Sequence, residues 1–368
     1  MNRGVPRLTR RGFLACCTGI VGVCSSSLRP AFAVQETLRQ VAAEKGMLFG
    51  GAFSTWDLAD PSFGEVFANQ CSIAVPENSL KWDAIRPTVT TFNFTVSDLL
   101  YDFASKHNMA FRGHTLVWEH ALPKWFVTTV TSQNAEAVLR RHISTVVRHY
   151  AGRMHSWDVV NEAVQVEDGR SDGLKVTPWL HYIGPEYIEM AFHAAREADP
   201  NVILVYNQNL IESEGAFFEK RRRATLALLT TLKKKDVPVH ALGVQSHIRP
   251  DANTTSLDYR RFLREVEDLG LSILVTEMDV RDRELPADID LRDRLIAEQY
   301  YKYLSFILQF KSVKTVLIWG LSNRHTWIAQ SLPRPDGLPV RPLPFDAELR
   351  PTPSWKAIQR AFEETFSR

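Results

Sequence analysis

Cysteine is scarce in this sequence, with four residues among 368, and three of the four lie within the first 24 positions. After residue 33 only Cys71 is left, so that part of the chain can form no internal disulfide. The same part lacks long hydrophobic runs, and it lacks a basic run with interleaved aromatic residues. The first absence argues against a membrane-spanning helix, and the second argues against nucleic-acid binding.

Acidic residues are absent from residues 1–33, which carry five arginines instead. The basic start is followed by an uncharged apolar stretch, 12–24, that is too short to span a bilayer, and the segment closes on the small-x-small pattern AFA. The sequence TRRGFL, residues 9–14, resembles the twin-arginine export signal of bacteria. We therefore expect a twin-arginine-type signal peptide over 1–33, one domain over 34–368, and a periplasmic or secreted protein. Loss of the five arginines changes the formal charge from +2 to −3.

Short apolar runs rich in β-branched residues recur along the rest of the chain, and amphipathic helical patterns separate most of them. The runs lie at 46–53, 72–78, 110–116, 156–162, 202–208, 241–247, 272–279 and 315–322. Strand–helix alternation with buried parallel strands is typical of α/β proteins, and eight such units predict a single (β/α)8 TIM barrel. A doubly wound sheet is the alternative. It would carry a glycine-rich phosphate turn after an early strand, and FGGAFST matches G-x-G-x-x-G poorly.

Two carboxylates stand at the end of the seventh run, ILVTEMDV. Because strand side chains alternate between faces with period two, Glu277 and Asp279 point to the same side. An ionised carboxylate is costly to take out of water, so both side chains must meet other polar groups. In a barrel the C-terminal ends of the strands converge on one mouth, where active sites lie. We therefore place Glu277 and Asp279 at that mouth.

The fourth and seventh strands lie nearly opposite each other in an eight-stranded ring, and each ends in a glutamate, Glu162 and Glu277. Two carboxylates that flank a bond are what glycoside hydrolysis requires, because one gives a proton to the leaving oxygen and the other attacks the anomeric carbon. Flat tryptophan rings suit the apolar faces of sugars, and amides and a lysine suit sugar hydroxyls. The candidates are Trp82, Trp118, Trp319 and Trp327, and Asn78, Lys81, Asn161 and Gln245.

His247 is predicted to hydrogen-bond Glu277 from the neighbouring strand and so to orient it and hold it ionised. Asp279 is predicted to pair with His247 rather than to contact substrate. The alternative for either glutamate alone is half of a structural ion pair, and Trp82 is equally consistent with a core residue.

Six stretches near these strand ends carry the residues on which a resemblance to a known family rests. They are ENSLKWDAIRP (77–87), FRGHTLVW (111–118), WDVVNEAV (157–164), GVQSHI (243–248), LVTEMDV (274–280) and WGLSNRHTW (319–327). Together they resemble a xylanase of glycoside hydrolase family 10, over residues 38–366. The resemblance implies retaining hydrolysis of internal β-1,4 xylosidic bonds without a cofactor or metal. We expect a monomer whose partner is the polysaccharide substrate, with no nucleic acid and, once the signal is removed, no membrane.

The resemblance also implies residue roles. Glu162 would be the general acid/base and Glu277 the nucleophile. The sugar at the cleavage point would be surrounded by Lys81, His114, Trp118, Asn161, Gln245, His247 and Trp319. That sugar and the next one towards the non-reducing end would be held by Glu77, Asn78 and Trp327.

The chain departs from the family pattern at two places. The family follows the tryptophan of HTLVW with His-Ser-Gln, whereas this chain has Glu119, His120 and Ala121, and NQNL (207–210) replaces Asn-Asp-Tyr-Asn. These changes leave open a related retaining β-glycanase that acts on a bacterial exopolysaccharide or a decorated glycan.

Two further function classes are also open. A metal-dependent barrel hydrolase would want clustered histidines, which the first strand lacks, and loss of activity on chelation would favour it. A non-catalytic sugar-binding barrel would be excluded by release of reducing ends from any β-glycan.

Overall fold

Eight parallel strands form the centre of the protein, and each pairs with its neighbours around a closed ring. The strands are Leu48–Phe53, Ile73–Pro76, Ala110–Gly113, Ser156–Asn161, Ile203–Gln208, Ala241–Val244, Ser272–Val280 and Val313–Ile318. Pairing of the eighth strand with the first and of the sixth with the seventh closes the barrel. The predicted (β/α)8 barrel is therefore confirmed, and the doubly wound alternative is wrong.

The computed structural model describes residues 36–368. The signal peptide predicted for residues 1–33 lies outside the described residues. Within the described part of the chain, no helix is both long enough and apolar enough to cross a membrane.

Helices surround the strand ring and cover its outer face. The longer ones are Pro61–Gln70, Thr95–Lys106, Ala135–His149, Tyr187–Ala198, Ala216–Lys234, Leu257–Asp268, Ile289–Ile307 and Pro353–Glu363. The shorter ones are Leu38–Glu44, Thr55–Leu58, Trp82–Ile85, Trp125–Thr129, Pro178–Ile183 and Ile328–Ser331, with 3-10 turns at Glu119–Ala121 and Val166–Asp168. Their apolar residues recur every three or four positions, as Leu139, Ile143 and Val146 do in one of them, so each helix buries one face against the barrel.

Two irregularities at the mouth position the site. In the seventh strand, Val275 pairs with Val316 and Met278 pairs with Ile318, so the seventh strand has one residue more than its partner between these pairs. Just after the sixth strand, a two-residue strand, His247–Ile248, pairs with the end of the seventh and brings His247 opposite Asp279.

Gly243, in the sixth strand, leaves space for a side chain of the fifth. A Cβ atom at this position would lie 2.2 Å from Oδ1 of Asn207. Any other residue would therefore displace Asn207, which contacts the candidate nucleophile.

Candidate active site

A cleft of about 920 Å³ lies at the C-terminal mouth of the barrel, and the segments that follow all eight strands contribute to its wall. With the exception of Trp82, every catalytic and substrate-binding residue predicted from the sequence lines it. They are Glu77, Asn78, Lys81, His114, Trp118, Asn161, Glu162, Gln245, His247, Glu277, Trp319 and Trp327. Asp279 is not among the residues that line the cleft, which fits a position behind His247.

Glu277 lies near the end of the seventh strand, and its side chain is buried. Its Oε1 accepts a 2.7 Å hydrogen bond from Asn207 Nδ2, and its Oε2 lies 3.3 Å from His247 Nε2. Burial alone would favour the neutral acid. The hydrogen bond from His247 and the nearby His114 imidazole outweigh burial and lower the pKa of Glu277 to about 2. Glu277 is therefore ionised and held in place at neutral pH, as a nucleophile must be.

His247 lies between two carboxylates. Its Nδ1 is 2.9 Å from Asp279 Oδ2, and the same oxygen accepts a 2.9 Å hydrogen bond from the indole of Trp327. Burial opposes a charge on His247, but the carboxylates of Asp279 and Glu277 raise the pKa of His247 to about 10. His247 is thus a cation that contacts Glu277 on one side and Asp279 on the other. Both contacts expected from the sequence are present.

Replacing His247 with glutamine is expected to change how stability depends on pH. The pKa of His247 is 6.5 when unperturbed and about 10 in the folded protein. The folded protein therefore binds this proton more tightly than the unfolded chain does, and protonation of His247 stabilises the fold. This contribution is complete below about pH 6.5 and is lost as the pH rises towards 10. The free energy of unfolding of the natural protein should therefore fall over that interval more steeply than that of His247→Gln.

Urea denaturation at pH 6.5, 8 and 9.5 measures these slopes. The variant should also be less stable at pH 6.5, by about 3–5 kcal/mol, because the buried carboxylates of Glu277 and Asp279 then lack their cation. Parallel pH profiles for the two proteins would contradict the assigned charge on His247.

Glu162 directly follows the fourth strand and has a φ of 57°, in the left-handed region. Its backbone N–H donates to the Asn207 carbonyl at 2.9 Å, which helps to hold a conformation that costs about 1–3 kcal/mol. One side-chain oxygen accepts from Trp118 Nε1 at 3.0 Å, and the other accepts from Gln245 Nε2 at 2.8 Å. Both oxygens are therefore fixed in the cleft, across the ring from Glu277.

Three amides connect the two glutamates through hydrogen bonds. The Gln245 amide that bonds Glu162 also lies 3.3 Å from Asn161 Oδ1, which accepts from Asn207 Nδ2 at 2.8 Å. Asn207 Nδ2 in turn donates to Glu277. Asn207 stands among the polar residues at the strand ends in the sequence, but no role was predicted for it.

His114 Nδ1 lies 3.9 Å from Glu277 Oε1, and a contact with Asp158 fixes the orientation of the imidazole ring. Its Nδ1 is 2.9 Å from Asp158 Oδ2, and the other Asp158 oxygen forms a buried ion pair with Arg112. Asp158 and Arg112 were not predicted from the sequence, because both stand inside predicted strands rather than at their ends.

Polar groups on the second strand's loop form another wall of the cleft. Lys81 Nζ donates to Asn78 Oδ1 at 2.7 Å and lies 4.9 Å from the centre of the Trp118 ring. Burial lowers the pKa of Lys81, although the carboxylates of Glu277 and Glu77 oppose it. Burial also raises the pKa of Glu77, against the opposing charge of Lys81. This wall combines donors and acceptors, which sugar hydroxyls require.

An ion pair that the sequence did not predict lies beside Glu162. Lys175, in the loop after the fourth strand, forms a close salt bridge with Glu119 and lies 3.8 Å from Glu162 Oε2. His120 Nε2 is 3.1 Å from both Lys175 Nζ and Glu119 Oε1. The departure from the family pattern at Glu119 and His120 thus places a charged cluster, Glu119–His120–Lys175, next to Glu162.

The other departures fall partly outside the cleft. Gln208 is fully buried, its amide donates to the Val164 carbonyl at 3.1 Å, and it accepts a hydrogen bond from Tyr206, so it belongs to the packing. Ala121 is also buried and does not line the cleft. Asn209 does line it, in place of the aromatic residue of the family pattern.

Trp82 corrects one interpretation of the sequence. Its side chain is 1% exposed, its ring stacks on His142 at 3.6 Å between centroids, and its indole N–H donates to the Leu116 carbonyl. Trp82 is therefore a core residue, and the suggestion that it binds sugar is wrong.

Among residues 36–368, two groups of side chains have the atoms and spacing to hold a metal ion. They are His114, Asp158 and Glu277, and Glu119, His120 and Glu162. In each group a protein cation already contacts a carboxylate, Arg112 in the first and Lys175 in the second. Ion pairing thus accounts for both clusters. That no metal is needed stays a prediction, which activity after dialysis against a chelator would test.

The similarity of this chain to known proteins covers almost the whole barrel. The family model described as glycosyl hydrolase family 10 matches residues 37–361. Endo-1,4-beta-xylanase B from Thermotoga neapolitana is 33% identical over 364 residues, which are 96% of this chain and 98% of that relative. The native xylanase 10B structure from Thermotoga maritima has a TM-score of 0.81 and 35% identity, and covers 89% of this chain and 98% of its own. Xylanase 10B from Thermotoga petrophila RKU-1, solved in complex with xylobiose, also has a TM-score of 0.81 and 35% identity, and covers 89% and 97%.

Proposed function

The chain belongs to glycosyl hydrolase family 10, and on that premise we propose that it hydrolyses internal β-1,4 xylosidic bonds with retention of configuration. In this proposal Glu277 is the nucleophile and Glu162 is the general acid/base. The observation that carries the assignment is the difference between their surroundings. Glu277 contacts the His247 cation, whereas the hydrogen bonds to Glu162 come from a neutral indole and a neutral amide. The Lys175 ammonium lies 3.8 Å from Glu162 and forms its close salt bridge with Glu119 instead.

The first chemical step forms a covalent intermediate. The Glu277 carboxylate attacks the anomeric carbon, the bond between that carbon and the glycosidic oxygen breaks, and Glu162 gives its proton to the leaving oxygen. Asn207 and His247 hold the attacking carboxylate in position. Trp118 and Gln245 hold the proton donor.

The second step returns the enzyme to its starting state. Glu162, now a carboxylate, takes a proton from water, and the water oxygen bonds to the anomeric carbon while the ester to Glu277 breaks. Two inversions at the same carbon give net retention.

Xylan is the proposed substrate because the relatives compared above are named as xylanases and one of those structures contains xylobiose. The Glu119–His120–Lys175 cluster favours a second candidate, a decorated glycan or bacterial exopolysaccharide whose side groups would contact it. The two candidates share the chemistry and differ in the chain that is cleaved.

A hydrolysis screen tests the proposal. The protein is incubated with linear xylan, substituted xylan, mixed-linkage glucan and bacterial exopolysaccharides, while reducing ends and the first-formed anomer are followed, the latter by NMR. Cleavage of linear xylan to the β-anomer supports the proposal, and an α-anomer would overturn the double displacement. Cleavage of only a decorated glycan would favour the second candidate, and no cleavage of any glycan would favour a non-catalytic barrel.

We also propose that residues 1–33 direct export through the twin-arginine pathway. The support is the TRRGFL sequence, the short apolar stretch and the AFA closing pattern. N-terminal sequencing of the exported protein should give a start after Ala33, and a start at Met1 would contradict cleavage.

A further inference from the structure

Trp56 is the most exposed of the nine tryptophans, all of which lie in the described part of the chain. It is 81% exposed, whereas the other eight are buried or half-buried. It nevertheless lines the cleft. A large aromatic side chain in water forgoes the free energy of burial, so its presence on a cleft wall suggests a ligand that covers it.

The turn that carries Trp56 is held in one conformation. Helix Thr55–Leu58 follows Ser54, whose backbone N–H and hydroxyl each bond the Asp57 carboxylate at 2.7 Å. Asp57 is itself only 5% exposed. The indole is therefore presented on a rigid base, and a ligand that binds it pays little to order the protein.

A second contact ties this turn to the loop that follows the neighbouring eighth strand. Asp60 caps the next helix by accepting from the Ser62 N–H at 3.0 Å, and it also forms a salt bridge with Arg324. Arg324 lies in the loop that follows the eighth strand and also carries Trp327. The turn after the first strand and the loop after the eighth strand are thus joined at the rim.

The position of this turn indicates which part of a substrate reaches it. The Glu77 N–H donates to the Phe53 carbonyl at 3.0 Å, so the first strand ends next to Glu77 and Asn78. With Trp327, these are the residues assigned above to the non-reducing side of the cleaved bond. The turn that carries Trp56 therefore lies on this non-reducing side, whereas the proposed proton donor Glu162 comes from the fourth strand.

We propose that Trp56 stacks on a third xylosyl unit, counted from the cleaved bond towards the non-reducing end. This inference rests on the proposed function, since the units are counted from the bond that Glu162 and Glu277 cleave. The apolar face of the sugar packs on the indole, while its hydroxyls face water or the polar groups of the rim. Binding energy gained there supports the chemical step as well as affinity.

Aryl β-glycosides of xylobiose and xylotriose isolate this contact. Their aryl group leaves in both cases, so the first fills two sugar positions and the second fills three. We expect kcat/KM for aryl release to be about two- to tenfold higher for the xylotrioside, the range of one aromatic stacking contact. Trp56→Ala should bring the ratio close to one without changing kcat/KM for the xylobioside, and Trp56→Phe should keep part of the preference.

Val127→Ala is the matched control, because Val127 is also 81% exposed but does not line the cleft. It should leave the ratio unchanged. An unchanged ratio in Trp56→Ala, or equal loss on both substrates, would overturn the stacking role while leaving the proposed function intact. If the natural protein released no aryl group from either glycoside, the proposed function and this inference would both be wrong.

Discussion

Replacing Glu277 with alanine is expected to lower kcat/KM for xylan by a factor on the order of 10⁵, comparable with the loss of a nucleophile in other covalent mechanisms. Without this carboxylate no glycosyl-enzyme can form, and Glu162 alone has no partner on the opposite face of the sugar. The variant should still fold, because the His247 cation keeps its contact with Asp279. Steady-state kinetics on xylan and circular dichroism measure the two quantities.

Glu277→Gln is the matched control for this prediction. Glutamine fills the same space but cannot attack, so its loss of activity should be similar. Added azide separates the variants, because only alanine leaves room for a small anion. With an aryl xyloside, Glu277→Ala plus azide should release the aryl group and form the inverted α-xylosyl azide, while Glu277→Gln should not respond. Residual activity near the natural level in Glu277→Ala would show that another residue is the nucleophile.

The barrel could be predicted because its strands are buried on both faces and therefore read as apolar runs. Ser156–Asn161, for example, is buried at every position. The ends of strands were less predictable. The run 110–116 is regular only over Ala110–Gly113, and the irregular pairing in the seventh strand depends on contacts with Val313–Ile318 that no local pattern encodes.

The residues that face the cleft could be predicted where they stand at strand ends, as Glu277 and Gln245 do. A residue that acts through another could be predicted at a strand end, as the pairing of Asp279 with His247 was, but not inside a strand or in a distant loop. Asp158 is a strand residue in the sequence, and only the folded barrel brings its carboxylate to His114. Lys175 lies 56 positions from Glu119, in a separate loop, and the sequence contains no signal that joins them.

The position of a tryptophan in the sequence also does not predict whether its side chain faces the cleft. Trp82 lies beside Lys81, a residue predicted to bind substrate, yet the short helix that begins with Trp82 turns its ring inwards onto His142. Trp56 has no motif around it, yet it lies on the cleft wall. A tryptophan near a strand end therefore predicts sugar binding only once the direction of its side chain is known.

Replacing Glu162 with alanine is expected to reduce xylan hydrolysis by about 10²–10⁴-fold, the usual contribution of a general acid. The loss should depend on the leaving group. A sugar alkoxide must be protonated as it leaves, whereas a good aryl leaving group needs little help, so the first step on an aryl xylobioside should be nearly unaffected. The second step still needs a base, and the glycosyl-enzyme should accumulate. Rapid-mixing kinetics should therefore show a burst of aryl release followed by slow turnover and a lowered KM.

Glu119→Gln is the matched control, because Glu119 is the other carboxylate near Glu162 and is held by Lys175. If Glu119 were the proton donor, it would show the dependence on leaving group in place of Glu162. Azide then distinguishes the roles of the two glutamates. In Glu162→Ala, azide attacks the glycosyl-enzyme on the face opposite Glu277, so the product should be the β-xylosyl azide. In Glu277→Ala, azide attacks the substrate itself and gives the α-product. The same anomer from both variants would be incompatible with one glutamate on each face of the sugar.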